Sequence, residues 1–496
     1  FARVAEGWPA TKDTVWAQWL LAEAIIYAVR DEVAGAPTTR LLPRSAFLND
    51  SEAMFRRARI ALLLITGLGL AAIIFAWSRE LWGSAGAALS TALFCFDPNF
   101  IAHCGLVTTD AGVSLFMTAS VYFFWRATRR RSLFNISGFA IFTALAAVTK
   151  FSSLLLAIII PVLAIVAVRQ RAIGVAHLFA IVLAALAVTV TVIWSVFEFR
   201  FDATHGLLPI RSLAKPGVFG SSLLFANDHR LLPQPYLFGL ARMRADVARP
   251  SYLRGAKLEH PSRTYFLWTF LTKTPLPAIA AIVAALVVAI RKRPIGLAYL
   301  LIPAAIYFVV AIAAGLNIGH RHLLPMYPLL YVLCGILSVR WLIACVLSLV
   351  SCLVVFTPWD PMWGHHLSYF NELARGPRHG WEIVSDSNVD WGQDLPRLAT
   401  WLRSHRVDEP VNFVYFGSAD PQYYGIRYVN VGGGYVAADA VPADQVRAPG
   451  WLVISVTQYS GAAAPTAATW RVFAADHHAR LVGRAGYSIL IFRIDR

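Results

Sequence analysis

The sequence predicts an α-helical membrane protein that crosses the bilayer several times and ends in a small extracytoplasmic α/β domain. Hydrophobic residues make up 57% of the chain and charged residues only 15%, which is too apolar for a soluble domain. The mean hydropathy of +0.57 agrees with this class. Apolar runs of bilayer-spanning length recur up to residue 357, after which the hydropathy falls and strand-like patterns begin.

The apolar runs predict about ten transmembrane spans, because each is about as long as a helix needs to cross the hydrocarbon core. They lie near 58–77, 84–102, 111–127, 134–149, 151–168, 175–197, 266–290, 295–315, 323–338 and 341–357.

Short basic loops predict the orientation of these spans. RATRRR (126–131), RQR (169–171), RKR (291–293) and Arg340 fall on one side if the spans alternate. Lys and Arg in short loops mark the cytoplasmic side. Both chain ends then lie outside the cytoplasm, so we expect a fragment of a multi-pass protein of a bacterial-type plasma (inner) membrane. Its first transmembrane helix would precede residue 1.

Three regions follow from this pattern. Residues 1–57 are the remainder of the first extracytoplasmic loop, with an amphipathic helix at 14–29. Residues 58–357 form the transmembrane core, including a long outer loop at 198–265, and residues 358–496 form the soluble domain.

The soluble domain shows the signals of a small α/β layer. Residues 393–405 predict a helix with one apolar face of leucines and a tryptophan. Alternating or apolar runs predict strands at 411–417, 451–458 and 487–494.

The net charge of +16 and the five cysteines narrow the class of function. The arginines are clustered between apolar runs, as topology signals are, and they do not line one face that could track phosphates. Nucleic acid is therefore not an expected partner. The cysteines lack the spacing of metal ligands and predict no disulfide framework.

Five segments in register carry a family resemblance. They are FDPNFIAHCGLVTTDAGVSLF (96–116), AAVTKFSSLLL (146–156), TFLTKTPLPAI (269–279), IGHRHLLPMYPLLYVL (318–333) and YFNELARGPRHGWEIVSDSNVDWGQDLPRL (369–398). Together they resemble the family 39-type membrane glycosyltransferases, whose C-type fold is shared by protein O-mannosyltransferases and the aminoarabinose transferases of lipid A.

The resemblance implies an enzyme that takes a sugar from a polyprenyl-phosphate donor and transfers it by a single inverting displacement. The acceptor, a protein or a lipid or glycan, would lie at the outer face of the membrane, among membrane lipids. Protein glycosylation and cell-envelope modification are the expected processes. Whether the enzyme is a hexosyl- or a pentosyltransferase is left open.

Asp110 and Lys150 match family positions at one membrane interface. Asp110 begins an apolar run, where a helix dipole favours an anion, and we expect it to be a catalytic-site carboxylate. Lys150 is expected to hold the donor phosphate as it leaves. The alternatives are that Asp110 is only an N-cap and that Lys150 is only a snorkelling anchor.

Lys273 and Arg321 complete the predicted phosphate-binding set. Lys273 interrupts an apolar run just before Pro275 and Pro277, where a broken helix would free backbone groups. Arg321 corresponds to the basic residue that the family places before its Leu-Pro motif, and it implies a second phosphate contact. Snorkelling is the alternative for Lys273.

A divalent metal ion is a further hypothesis. His320 and His322 flank Arg321 and could ligate a metal together with an acid, and His260 and Glu259 could also serve. Interfacial histidines with ordinary hydrogen bonds are the alternative.

The segment SDSNVDWGQDL (385–395) presents Asp386, Asp390 and Asp394 at i, i+4 and i+8. It lacks the bidentate glutamate and the remaining pattern of a calcium loop. We interpret it as a structural turn and helix cap that packs the soluble domain on the membrane part.

The N-terminus departs from the family pattern. FARVAEG (1–7) looks like the segment directly after the family's catalytic acidic pair, which would place that pair upstream of Phe1. The family's His-Pro-Pro position reads KDTV (12–15). A degenerate, non-catalytic membrane scaffold is therefore an alternative function, and a lipid or sugar flippase is another.

Overall fold

The computed structural model describes residues 51–202, 210–245, 251–337, 364–417, 419–432, 441–462 and 469–495. The longer helices are Ser51–Leu62, Leu68–Cys95, Asp110–Arg129, Leu133–Thr149, Leu156–Arg169, Val175–Val196, Val218–Asp228, Gln234–Ala245, Tyr265–Lys273, Leu276–Lys292, Leu297–Ala314, Tyr327–Cys334, Leu395–Ser404 and Thr469–Asp476. Shorter helices are Pro98–Cys104, Ile210–Leu213 and Val456–Tyr459. The predicted helix at 14–29, the KDTV segment and the span at 341–357 lie outside the described residues.

Several helices are long and apolar enough to cross a membrane. In the described part of the chain there are four, Glu52–Cys95, Phe151–Arg169, Val175–Val196 and Leu297–Ala314, or up to five if a bent pair of helices is counted as one span. Their outward side chains include many large apolar residues that are more than half exposed, such as Leu183, Leu186 and Val309. Apolar surface of this kind requires lipid around it. The chain is therefore a multi-pass membrane protein.

Five predicted spans correspond closely to single helices. These are the spans at 111–127, 134–149, 151–168, 175–197 and 295–315. The span at 266–290 is instead two helices, Tyr265–Lys273 and Leu276–Lys292, bent by 110°. The span at 323–338 contains only the short helix Tyr327–Cys334 between two 3₁₀ turns.

The first long helical segment turns back on itself at Gly83. This glycine has φ 78° and ψ −176° within the Leu68–Cys95 helix, a conformation that L residues with side chains rarely adopt. The hydroxyls of Ser78 and Ser90 are 2.8 Å apart, whereas twelve residues of straight helix would separate them by about 18 Å. The chain therefore reverses here, between the predicted spans at 58–77 and 84–102.

The described chain packs as two compact units. The first consists of the described parts of Thr109–Ala248 and Arg293–Phe308, and the second of those of Ala36–Thr108, Arg249–Lys292 and Val309–Arg496. In the first unit, the Leu133–Thr149 helix packs against both the Asp110–Arg129 and the Val175–Val196 helices.

In the second unit, Gly335 allows close helix packing, because a Cβ atom there would collide with Ser78 and Trp82. Small residues at helix contacts are the usual way for membrane helices to approach each other.

The C-terminal domain, also part of the second unit, contains a five-stranded mixed sheet. Its strands are β3 (Val411–Val414), β4 (Tyr428–Asn430), β5 (Gly450–Ser455), β6 (Arg480–Ala485) and β7 (Ile489–Ile494), and their order is β4-β3-β5-β7-β6. β1 (Ser251–Leu253) and β2 (Ala256–Leu258) form a separate hairpin. β3 pairs in parallel with β4 and β5, and β7 pairs antiparallel with β5 and β6. All three predicted strands are thus confirmed.

The helix Leu395–Ser404 covers the core of this domain. Its leucines at 395, 398 and 402 are buried together with Phe413 and Ile491 of the sheet. The predicted apolar face of that helix is therefore the face that packs on the sheet.

Candidate active site

Asp110 and Lys150 meet in the first unit. Asp110 is the first residue of the Asp110–Arg129 helix, and Lys150 directly follows the Leu133–Thr149 helix in extended backbone. The loop between the two helices is short, so they pack side by side and bring the end of one beside the start of the other. The ammonium Nζ of Lys150 donates to Oδ1 of Asp110 at 2.5 Å. The structure thus joins two predicted residues that lie forty positions apart.

The two members of this pair differ in exposure. The side chain of Asp110 is 2% exposed and that of Lys150 is 21% exposed. Thr109 occupies the N-cap position, with Asp110 in the first turn. A carboxylate in the first turn is favoured by the helix dipole, but Asp110 is not the capping residue that the alternative interpretation requires. Lys150 presents a partly open cation held in place by a buried anion.

Lys273 lies in a closed environment in the second unit. It is the last residue of the Tyr265–Lys273 helix and is 2% exposed. Its ammonium donates to the carbonyl of Leu367 at 2.7 Å and to that of Asn388 at 2.5 Å. It also lies 4.7 Å from the ring centroid of Phe370. The predicted break at Pro275 is confirmed by the 110° bend. The predicted phosphate-binding role stays a prediction, and these contacts give the ammonium a structural one.

Sequence reasoning missed Asp97. The predicted span at 84–102 is broken at this residue, because the preceding helix ends at Cys95 and Asp97 caps the Pro98–Cys104 helix. Its carboxylate is 1% exposed and accepts bonds from Asn99 and, at 2.6 Å, from the hydroxyl of Tyr331. The Asp-Pro-Asn sequence is a helix-start signal that could have revealed the break.

Asn99 connects this carboxylate to the region of Lys273. Its side-chain amide donates both to Asp97 at 3.0 Å and to the backbone carbonyl of Lys273 at 2.8 Å. Buried polar groups need such partners. Asp97, Asn99, Tyr331 and Lys273 therefore form a buried polar cluster that joins three of the five segments that carry the family resemblance.

The histidines around Arg321 have separate surroundings. His320 is 2% exposed and lies 5.4 Å from the ring of Tyr327, and its backbone amide donates to the side chain of Asn388. The ring of His322 lies beside Phe266. The guanidinium of Arg321 lies 4.8 Å from the ring centroid of Trp391, a cation–π contact.

The metal hypothesis gains no support from this geometry. Within the ranges that the structure describes, no group of three or more His, Cys, Asp or Glu side chains is placed to hold a metal ion. Glu259 and His260 are both exposed, next to the β1–β2 hairpin. Three ligands are the usual minimum for a protein-held zinc ion.

The three aspartates of residues 385–395 have different environments. Asp394 accepts bonds from Arg397 at 2.8 Å and from the hydroxyl of Ser488 at 2.7 Å; its side chain does not cap the helix that follows. Asp390 is 1% exposed, and burial raises the pKa of its carboxyl well above the usual range. The neighbouring Asn388 bonds Lys273 and His320, which agrees with the predicted packing role of this segment.

Comparison with known proteins supports the resemblance in part of the chain. Residues 51–195 match the family model described as dolichyl-phosphate-mannose-protein mannosyltransferase. This stretch contains both Asp110 and Lys150. The predicted resemblance to membrane glycosyltransferases is thereby confirmed over these residues.

Solved structures give a weaker likeness. Crystal structures of ArnT from Cupriavidus metallidurans, one in the apo state and one bound to undecaprenyl phosphate, are each similar to this chain at 16% sequence identity and a TM-score of 0.44. Each comparison covers 88% of this chain and 83% of the ArnT chain. No curated protein sequence matches this chain.

Proposed function

We propose that this chain transfers a sugar from a polyprenyl-phosphate donor to an acceptor at the outer face of the membrane. The single observation that carries the proposal is the Asp110–Lys150 pair, a buried carboxylate that holds a partly exposed ammonium. The pair lies in the stretch that matches a family of transferases named for a dolichyl-phosphate-linked sugar.

The pair suits the leaving group of such a reaction. In an inverting single displacement, the acceptor hydroxyl oxygen bonds to the anomeric carbon while the bond from that carbon to the phosphate oxygen breaks. The hydroxyl proton passes to a base, and polyprenyl phosphate leaves. A lysine ammonium has three donors, and one of those of Lys150 bonds Asp110. As far as the described residues show, the other two can bind phosphate oxygens and stabilise their charge as the sugar departs.

Asp110 has two roles in this arrangement. Its hydrogen bond aims the flexible side chain of Lys150, which reduces the entropy lost when the phosphate binds. Its negative charge also keeps the free site close to neutral, so that Lys150 can be held near the apolar helices without a donor present. The sugar, whether hexose or pentose, and the acceptor, whether protein, lipid or glycan, are not specified by these residues.

The test uses membranes that contain the natural full-length protein and labelled polyprenyl-phosphate mannose or aminoarabinose. We expect release of polyprenyl phosphate, with the label passing to an acceptor. Lys150→Met should lower this release by about 10- to 150-fold, the effect of losing one charge-assisted contact. Lys292→Met, an exposed lysine at a helix end, is the matched control and should leave release unchanged.

Other outcomes identify the alternatives. Movement of the intact labelled lipid between leaflets without cleavage would identify a flippase. Neither cleavage nor movement with either donor would identify a scaffold. Equal release by the Lys150→Met and Lys292→Met variants would contradict the assigned role of Lys150.

The proposed orientation places the C-terminal domain outside the cytoplasm. Single cysteines at two exposed positions, Ser404→Cys in that domain and Arg130→Cys in an arginine-rich loop, can be introduced after the native cysteines are replaced by serine or alanine. An impermeant thiol reagent added to intact cells should label position 404 and spare position 130. The reverse pattern would invert the topology and contradict an outward-facing site.

A further inference from the structure

A basic cleft lies in the C-terminal domain. Its volume is about 620 Å³, within the range of small-molecule sites. Four basic side chains and two larger apolar ones line it, together with glycines and no acidic residue: His365, Arg378, His379, Arg484, Leu481 and Tyr487.

The two histidines of the cleft already face carboxylates. The Nδ1 atom of His379 is 2.9 Å from Glu382, and that of His365 is 3.8 Å from Asp394. Each of these acids also holds an arginine outside the cleft, Arg375 for Glu382 and Arg397 for Asp394. The nearby acids are therefore bonded to other residues, and Glu382 offers Arg484 a charge interaction without an ion pair.

Arg378 and Arg484 lie side by side. A guanidinium nitrogen of Arg484 donates to the backbone carbonyl of Arg378 at 3.0 Å. Burial, followed by the charge of Arg378, lowers the pKa of Arg484. Within the described ranges, neither guanidinium forms an ion pair with an acid. Glu382 compensates the charge of Arg484 only in part, and two adjacent cations favour an anion between them.

The loop that carries Arg378 is conformationally restricted. It has the sequence GPRHG (376–380), in which the ring of Pro377 fixes the φ angle of that residue and Gly376 adopts φ 74°. A Cβ atom at Gly380 would collide with the ring of Phe370. Arg378 is thus presented from a backbone with little freedom, and binding a ligand costs less ordering.

We propose that this cleft binds an anionic sugar, whose phosphate or carboxylate lies between Arg378 and Arg484. Guanidinium groups pair with both anions through two parallel hydrogen bonds. The cleft is larger than a phosphate ion needs, and Tyr487 and Leu481 offer apolar surface to a sugar ring. Since the proposal concerns binding by this domain, it stands whether or not the proposed transferase activity does.

Calorimetric titration of the full-length protein in phosphatidylcholine nanodiscs tests the proposal. The probes are glucose 1-phosphate, glucuronate, inorganic phosphate and glucose. We expect both anionic sugars to bind, inorganic phosphate to bind more weakly, and glucose to show no binding. The double variant Arg378→Gln/Arg484→Gln should weaken glucose 1-phosphate binding by about 10-fold or more. Arg403→Gln, at an exposed position of the same domain, should not change it.

Several results would overturn the proposal. Absence of binding by both anionic sugars, or equal affinity of the double variant and the native protein, would remove the site. If inorganic phosphate binds as tightly as glucose 1-phosphate, the cleft does not recognise the sugar ring. Full competition by phosphatidylglycerol added to the nanodiscs would assign the cleft to lipid phosphates. Gel filtration and thermal unfolding of each variant establish that the fold is retained.

Discussion

Lys150 and Lys273 each lie at the end of an apolar helix, yet their ammonium groups meet different surroundings. Lys150 keeps 21% of its side chain exposed and bonds a carboxylate. Lys273 is 2% exposed, and its ammonium bonds two backbone carbonyls and lies over an aromatic ring. The first lysine has donors left for a ligand on an open side, and the second is enclosed by its own protein.

This difference indicates that one lysine is kept for function and the other for structure. A charge among apolar helices is expensive and is kept either for function or for a structural bond that nothing else supplies. Lys273 connects the Tyr265–Lys273 helix to residues 367 and 388 of the C-terminal part. Among the residues that the structure describes, the side chain of Lys150 bonds Asp110, and its open side can meet a ligand.

The largest expected effect is that of Lys273→Met. This change leaves two buried carbonyls without a donor and removes the positive charge near Asp97, a loss on the order of 3–5 kcal/mol of folding stability. We expect a large drop in the amount of folded protein and in its melting temperature in detergent. Lys292→Met, at an exposed lysine, serves as the matched control.

If the Lys273→Met variant has the same melting temperature as the native protein, the structural role assigned to Lys273 is wrong. If Lys292→Met is destabilised as much as Lys273→Met, the loss does not come from the enclosed position of Lys273.

Two substitutions in the 385–395 segment should have smaller effects on stability, and these effects should be opposite in sign. Asp394→Asn should lower stability at neutral pH by about 1–3 kcal/mol, because it weakens bonds from Arg397 and Ser488. Asp390→Asn should raise stability at the same pH, because ionising a buried aspartate is unfavourable. The measurement is thermal unfolding as a function of pH.

The sign of the Asp390 effect follows from linkage. Its pKa is raised in the folded state, so the folded protein holds a proton that the unfolded chain releases as pH rises above the ordinary aspartate pKa. Stability falls with rising pH across that window. The gain from Asp390→Asn should therefore be present at neutral pH and vanish near pH 4, below the ordinary value. A gain that is the same at both pH values would contradict the buried, protonated state.

Much of the fold could be predicted from the sequence, since its signals are local. Apolar runs between arginine clusters predicted five helices to within two residues, one of them beginning with the 3₁₀ turn Phe151–Leu155, and alternating patterns predicted three of the five strands in the C-terminal sheet. β4 has only three residues, and β6 is largely exposed with little apolar alternation. Both therefore lacked a pattern to detect.

The candidate site was less accessible to such reasoning. Hydropathy is averaged over many residues, so a single carboxylate such as Asp97 barely changes it. The span at 84–102 therefore looked continuous, although Asp97 lies between two helices and caps the second. Equal spacing made Asp390 and Asp394 look alike, whereas only packing shows that Asp394 bonds an arginine and that Asp390 accepts a bond from the backbone of Gly392. The bond between Asp110 and Lys150 arises from the packing of two helices and is visible only in three dimensions.

The role of Asp110 as a catalytic-site carboxylate is tested most directly by Asp110→Asn. Asparagine keeps the size of the side chain and an oxygen that can accept from Lys150, but it lacks the negative charge. We expect the full-length variant to insert and melt as the native protein does. In the donor-release assay it should lose transfer by on the order of 100-fold or more. Transfer within about threefold of the native rate, with the same polyprenyl-phosphate donor, would contradict a catalytic role for the Asp110–Lys150 pair.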